Sequence, residues 1–225
     1  MSEGFVALKR NNFESAKALF SNAREMDPGS REPHDAILQV IENEKDQKII
    51  QLEKQGNNQE DQELWELAVI SYQELLELDS DLLFAKEGLE RSVTRELLHR
   101  NIQKYIDDFD LLTEPGMINK ATESLFAALK YDQKPRLFAQ TSELKRLLKL
   151  ANTPVSISLV SDNLTDVTIF RIGKLYKFDN KKIVTLPGKY VGVGIRNGYR
   201  DVRVEFKVTP DQSVRPIVII CKEEI

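Results

Sequence analysis

The 225-residue sequence predicts a chain of two parts: an all-helical array of helical hairpins over residues 1–152 and a small antiparallel β-sandwich over residues 153–225. Before Thr153-Pro154, apolar residues recur at helical spacing, whereas β-branched residues alternate with polar ones after it. The charge changes at the same place, because residues 1–153 carry 20 Lys and Arg against 28 Asp and Glu, and residues 154–225 carry 12 against 8. Pro154 ends the last helix and permits the first strand, so we place the boundary there.

Composition narrows the class of protein. A hydrophobic fraction of 41% with 30% charged residues is typical of a folded domain, and no apolar run approaches the roughly 18 residues of a membrane span. A single cysteine, Cys221, excludes an internal disulfide and a cysteine-built zinc site. With only two histidines, the chain is poorly equipped for histidine-dependent catalysis or metal binding. We therefore expect no cofactor, no metal and no catalytic residue.

The helical part contains a repeat. The segments FESAKALFSNAREMD from residue 13, WELAVISYQELLELD from residue 65 and INKATESLFAALKYD from residue 118 place matching residues at offsets of 3, 4 and 3. These offsets keep the residues on one helical face, and a small alanine among them lets a neighbouring helix approach closely. The alternative is three unrelated amphipathic helices. The shared positions are Phe13, Ala16 and Phe20, then Trp65, Ala68 and Tyr72, and then Ala121 and Leu125.

These segments resemble the second helix of the tetratricopeptide repeat, whose helical hairpins stack into a solenoid. The repeat period is 52 and then 53 residues, against about 34 in that family. The surplus is close to five helical turns, which would lengthen each hairpin without rotating its buried face. The first copy matches the family at Gly4, Ala7, Phe13, Ala16, Phe20, Ala23 and Pro28.

The surplus residues predict unusually long helices, closed by a last amphipathic helix that seals the array. The third of the long segments is either one helix or broken near Asp107-Asp108. The predicted ranges are Glu32–Gln55, a turn at Gly56-Asn57-Asn58, a return helix over Glu60–Leu78, Leu82–Asp110, and the closing helix Arg136–Leu150.

Short strands are predicted in the β part, with Asn197-Gly198 as a strong hairpin signal. One face of the strand after this hairpin should carry Val202, Val204, Phe206 and Val208. The predicted strands are Val155–Leu159, Val167–Ile172, Lys182–Leu186, Lys189–Arg196, Tyr199–Val208 and Ser213–Cys221.

The stretch LPGKYVGVGIRNGYRDVRVEFKV resembles the later half of the PEGA domain, a bacterial and archaeal β-module without an assigned catalytic activity. Asp162–Val167 stands where that family has Pro-Glu-Gly-Ala. The resemblance implies a multidomain protein of the bacterial envelope, which favours an extracytoplasmic location, with the cytoplasm as the alternative. It is carried by Leu186, Pro187, Gly188, Tyr190, Gly198 and Tyr199.

Three patterns suggest chemistry, and in each the structural interpretation is favoured. Gly192 and Gly194 lie within a strand rather than before a helix, which is typical of structural glycines and not of a phosphate loop. The run from Asp107 to Asp110 lacks the glycine and distal glutamate of a calcium loop, so it is interpreted as a solvated acidic helix end. Glu96 and His99, one turn apart, are interpreted as a surface contact rather than a metal site.

Basic residues are concentrated in the β part, without an evident platform that combines them with aromatic residues. Nucleic-acid binding is therefore not expected, and the positive charge could instead dock against the acidic helical part. The basic residues are Lys174, Lys177, Lys181, Lys182, Arg196, Arg200 and Arg203.

A non-enzymatic protein–protein interaction module is the function that these features favour. In a stacked array, the first helix of each pair lines a concave surface suited to an extended peptide or a partner helix, here a basic or amphipathic one. The alternative for each groove residue is a solvated helix position. By the family resemblance, the groove residues are Asp35, Gln39 and Glu42 in the second pair and Glu87, Arg91 and Thr94 in the third.

Two other expectations complete this interpretation. A competing hypothesis gives the binding function, to glycan or to a cell surface, to the β part, with the helices as a spacer; an enzyme is the least favoured class. By alignment on Ala16, Met1 falls at about the fifth position of a repeat, so we expect further repeats upstream of this sequence.

Overall fold

The computed structural model describes residues 1–210 and 215–225, and within these ranges seven α-helices precede seven strands. A helical part and a β part are therefore both present. The helices are α1 Ser2–Lys9, α2 Phe13–Met26, α3 Glu32–Asp61, α4 Trp65–Leu78, α5 Leu83–Asp107, α6 Met117–Ala128 and α7 Pro135–Ala151, with a 3₁₀ helix at Phe109–Thr113. The strands are β1 Val155–Val160, β2 Asp166–Ile169, β3 Gly173–Tyr176, β4 Asn180–Thr185, β5 Gly188–Ile195, β6 Val202–Val208 and β7 Ile217–Val218.

The chain divides into two compact units, Met1–Leu97 and Leu98–Ile225, and the division runs through α5. Charge follows this division closely. The first unit carries 11 Lys and Arg against 21 Asp and Glu, whereas the second carries 21 against 15. The boundary predicted at residues 152–153 lies inside the second unit and stays a prediction.

The repeat positions lie in the interior. Ala16, Ala68 and Ala121 have no exposed surface, and Phe20 and Tyr72 are buried beside the first two of them. α2 begins at the predicted Phe13. α4 begins at Trp65, the first residue of its repeat segment, and not at the predicted Glu60, because α3 continues to Asp61. α6 begins one residue before its predicted start and ends at Ala128, short of the predicted Asp132. The other positions are buried at Trp65 and Leu125 and half-buried at Phe13.

The turn predicted at Gly56-Asn57-Asn58 is wrong. α3 continues through these residues to Asp61, and the chain reverses at residues 62–64, where Glu63 has a φ of 57°. Gly56 marks a close approach instead, because a Cβ there would lie 3.0 Å from Cζ of Tyr72. The Tyr72 hydroxyl donates a hydrogen bond of 3.0 Å to Oδ1 of Asn57.

α3 is shared between two cores. Its first half buries Ala36 and Val40 in a cluster with Phe20 of α2, and its second half buries Leu52 in a cluster with Tyr72 of α4. No residue between Val40 and Leu52 is buried. The surplus turns therefore separate two contacts along one helix.

The structure defines the ends of α5 and of the closing helix. α5 stops at Asp107, and the Asp108 carboxylate accepts the N–H of Asp110 to cap the 3₁₀ helix, so the segment is broken there. The closing helix is confirmed as α7, one residue longer at each end than predicted. Its inward residues, all buried as expected, are Leu137, Leu144, Leu147, Leu148 and Ala151.

The strands form a three-stranded sheet in the order β4-β1-β7 and a four-stranded sheet in the order β3-β2-β5-β6. One core joins side chains of both sheets, including Ile157 of β1 and Val167 of β2. The pairing of β1 with β7 is parallel, so the expectation of a purely antiparallel arrangement is wrong at that pair. β3 was not predicted, and the predicted strand from Ser213 begins outside the described residues.

β5 and β6 form the predicted hairpin, with Gly198 at a φ of 78° in the connection. The returning strand begins at Val202 rather than at Tyr199, because Tyr199 pairs with Glu224 instead. The predicted face is confirmed: Val202, Val204, Phe206 and Val208 are the inward residues of β6, and charged residues alternate with them.

Gly88→Ala should destabilise the protein by about 1–3 kcal/mol, because a Cβ at this position would lie 2.5 Å from Cε1 and Cζ of the Tyr72 ring. Helix propensity alone predicts the opposite sign, a gain of about 1 kcal/mol. Gly29→Ala, in the connection between α2 and α3, is the control for adding a methyl group without a close contact, since its nearest neighbouring atom is 3.6 Å away. Urea unfolding measures both variants, and a Gly88→Ala protein as stable as the parent would contradict the close packing.

Candidate functional site

The three groove residues predicted on α3 are exposed. Asp35, Leu38 and Glu42 share one helical face, and Gln39 lies beside it. Leu38 and its neighbour Ile41 are 52% and 49% exposed, although both are large and apolar. The first half of α3 thus presents an apolar pair bordered by carboxylates, on the side away from its buried Ala36 and Val40.

The three groove residues predicted on α5 are also exposed, but two of them are engaged within the protein. The Arg91 guanidinium donates to both carboxylate oxygens of Glu60 at 2.9 to 3.1 Å, and this hydrogen bonding raises the pKa of Arg91. The Thr94 hydroxyl donates to the carbonyl oxygen of Glu90 at 2.8 Å. Glu87 is the third.

The two sets of groove residues do not form one surface. Arg91 contacts Glu60, which lies 18 residues beyond Glu42 on α3, or about 27 Å at 1.5 Å per residue. The long helices therefore offset α5 toward the far end of α3. Of the two sets, the α3 set is the one in which exposed acidic and apolar side chains lie together.

Tyr72 sits at the centre of the contact between α3, α4 and α5. Its ring packs against Gly56 and Gly88, and its side chain is almost fully buried. Burial, with the Glu60 carboxylate nearby, raises the pKa of Tyr72 to about 12. Glu60 also accepts the hydroxyl of Ser92 at 3.1 Å, so this carboxylate joins the end of α3 to the interior of α5.

A cleft of about 360 Å³ lies in the second unit, between the start of α6 and the β4–β5 connection. The Tyr190 hydroxyl at its edge donates to the carbonyl oxygen of Leu186 at 2.8 Å and lies 2.7 Å from the Thr185 hydroxyl. Gly188, with a φ of 154°, and the buried Pro187 set this connection. The motif that resembles PEGA domains thus builds a local turn whose hydroxyls are bonded within the protein.

The acidic run after α5 is used for structure. Asp107 accepts a hydrogen bond from Gln103, Asp108 caps the 3₁₀ helix, and Asp110 lies 2.6 Å from Nζ of Lys207 on β6 and 4.0 Å from Nζ of Lys189 on β5. This ion pair joins the helical and β parts within the second unit. Among the described residues, no group of three or more His, Cys, Asp or Glu side chains is placed to hold a metal ion.

The interpretation of His99 as part of a surface contact is wrong. His99 is buried, and its Nδ1 lies 2.6 Å from Oε1 of Gln140 on α7. Nε2 of Gln140 donates in turn to Oε1 of Gln103 at 2.8 Å. A polar contact therefore lies inside the helical part of the second unit, which the spacing of Glu96 and His99 alone did not indicate.

The structural interpretation of the strand glycines agrees with the packing. A Cβ on Gly192 would overlap Cδ1 of Ile219, and one on Gly194 would lie 2.7 Å from Cγ2 of Thr165. Cys221 is buried beside them and donates its N–H to the Thr165 hydroxyl. Tyr199 lies at the surface, where its hydroxyl donates to Glu224 and the Arg196 guanidinium stacks 3.8 Å from its ring centre.

The outward face of the four-stranded sheet is an exposed surface that could not be recognised in the sequence. Lys174, Thr168, Val193 and Arg203 follow one another across β3, β2, β5 and β6. Phe170 and Tyr176 flank this row and are 54% and 67% exposed. The strand β3 was not predicted, so the register that places aromatic and basic residues together could not be inferred. We define the outer sheet face as Phe170, Lys174, Tyr176, Val193, Ile195 and Arg203.

Ionisation of Tyr72 should make stability fall at alkaline pH. Its pKa is about 12 in the folded chain against 10.0 in an unfolded one, so the neutral side chain favours folding fully below pH 10. Between pH 10 and about 12 this contribution is lost, at up to roughly 1.4 kcal/mol per pH unit. Urea unfolding of Tyr72→Phe, compared with the parent across this range, measures it. The variant should lose this part of the pH dependence, and Tyr176→Phe, at an exposed site, should keep it.

Asp110→Asn should weaken the attachment between the 3₁₀ helix and β6 by about 1 kcal/mol or less, because the ion pair with Lys207 is only partly shielded from water. The difference should shrink in high salt. Glu205→Gln, which removes an exposed pair with Arg203, is the control and should have a smaller effect. Unfolding in low and high salt checks both, and a salt-independent loss would contradict an ionic origin.

Within the described part of the chain, no helix combines the length and apolar character needed to cross a bilayer. Comparison of the chain with protein-family models, with curated proteins and with solved structures gives no match.

Proposed function

We propose that the chain is a non-catalytic protein–protein interaction or scaffolding module, built as a solenoid of long tetratricopeptide-like hairpins followed by a PEGA-like β-sandwich. The equivalent burial of Ala16, Ala68 and Ala121 supports the repeat, and the core shared by the two sheets supports the sandwich. A setting in the bacterial envelope follows from the resemblance alone and stays a prediction.

The observation that carries this proposal is the exposed face of α3. Leu38 and Ile41 supply apolar surface, and Asp35 and Glu42 supply negative charge on either side of Leu38. An amphipathic helix with basic residues next to its apolar stripe complements this arrangement. Glu87 lies on the separate surface of α5, so we place the main contact on α3.

Reversing charge on α3 should weaken binding of a basic amphipathic helical peptide, measured by fluorescence anisotropy. Asp35→Lys and Glu42→Lys should each cost about 1 kcal/mol or less, which is at most roughly fivefold in affinity, because exposed charges act through a high dielectric. Higher salt should also reduce the affinity of the parent chain for the peptide, because it screens the same attraction.

Two matched variants locate the site. Glu25→Lys changes the charge equally at an exposed position of α2 and should leave binding unchanged. Glu87→Lys tests the α5 surface and should have the smaller effect. Undiminished binding in the Asp35→Lys and Glu42→Lys double variant, with folding intact, would exclude α3 as the site.

A further inference from the structure

The structure carries a second exposed amphipathic surface, on α4. Leu67 and Ile70 are 46% and 47% exposed, and the exposed Glu74 and Glu77 continue the same side of the helix. The sequence around it is one-sided in charge, because residues 55–85 contain eight Asp and Glu and no Lys or Arg. α4 therefore presents an apolar row within a strongly negative segment of the chain.

The outer sheet face has the complementary character. Val193 is half-exposed and Phe170 and Ile195 are exposed, so an apolar strip runs along β5 and the end of β2. Lys174 borders this strip on one side and Arg203 on the other, within the same row of the register. The outward Glu205, two residues further along β6, lies 3.0 Å from the Arg203 guanidinium. An apolar sheet face of this kind is normally covered by the apolar side of a helix.

We propose that chains associate head to tail, with α4 of one copy packed on the outer sheet face of a second copy. The lengths are compatible, since the 14 residues of α4 span about 21 Å and fit within the roughly 27 Å of the eight residues of β5. The charges agree as well, because the first unit has ten more acidic than basic residues and the second has six more basic than acidic residues.

The contact joins two different surfaces, so it does not close on itself by two-fold symmetry. Each added copy leaves one α4 and one sheet face available, and assembly continues as an open chain unless rotation closes a ring. This inference is separate from peptide binding by α3, because neither surface includes the residues proposed for that site.

Sedimentation velocity of the full chain over a concentration series tests the proposal. We expect the average mass to rise with concentration in low salt and to fall in high salt. The α4 variant Leu67→Lys with Ile70→Lys and the sheet variant Phe170→Glu with Ile195→Glu should each remain monomeric. A mixture of the two should form a 1:1 complex and nothing larger, since one intact surface of each kind remains.

Exposed apolar residues elsewhere provide the controls. Leu38→Lys on α3 and Phe126→Glu on α6 make comparable changes and should leave association unchanged. A charge exchange guards against misfolding: Glu74→Lys and Lys174→Glu should each weaken association alone and restore it when the two variants are mixed.

The proposal is overturned if the parent chain stays monomeric at every concentration in low salt, or if the mixed variants form no complex. It is also overturned if the control variants abolish association as the surface variants do. Binding of the monomeric parent to an immobilised polysaccharide, lost in the sheet variant, would assign the outer sheet face to glycan instead.

Discussion

The packing of one tyrosine ring between two glycines sets the register of three helices. Gly56 of α3 and Gly88 of α5 both face Tyr72 of α4, and a Cβ would lie 2.5 Å from the ring at Gly88 and 3.0 Å from it at Gly56. Because protein interiors are close-packed, this contact fixes where along their lengths α3 and α5 meet α4. This position along the helices brings Arg91 next to Glu60. It also separates the α5 surface from the acidic face at the start of α3.

The order of one helical part followed by one β part could be predicted, because helices and strands differ in their local periodicity. Ala16, Ala68 and Ala121 were recognisable as interior positions from their spacing alone. Gly56 was misinterpreted because a glycine that permits a turn and one that permits a close approach look the same in a sequence. The difference lies in Tyr72, which is 16 residues away and only becomes a neighbour once the hairpin has formed.

The candidate surfaces also differ in whether they depend on local spacing or on non-local pairing. Asp35 and Glu42 could be placed on one helical face from spacing, because helix geometry relates residues three and four apart. The outer sheet face depends on which strands are neighbours, and β2 lies beside β5 rather than only beside the strand that follows it. Pairing of this kind is non-local, so Phe170 and Arg203 give no signal of their proximity in the sequence. His99 was misplaced for a related reason, since its partner Gln140 lies on another helix.

The middle of α3 connects two cores without belonging to either. Between Val40 and Leu52 no side chain is buried, and the tertiary contacts there include ion pairs of Lys17 with Glu44 and of Lys45 with Asp79. Sequence drift in this span is therefore limited by helix propensity and solubility rather than by packing. Changes of length are not neutral, because each inserted residue would turn one core by about 100° relative to the other. Substitutions in this span should therefore be tolerated more readily than insertions or deletions.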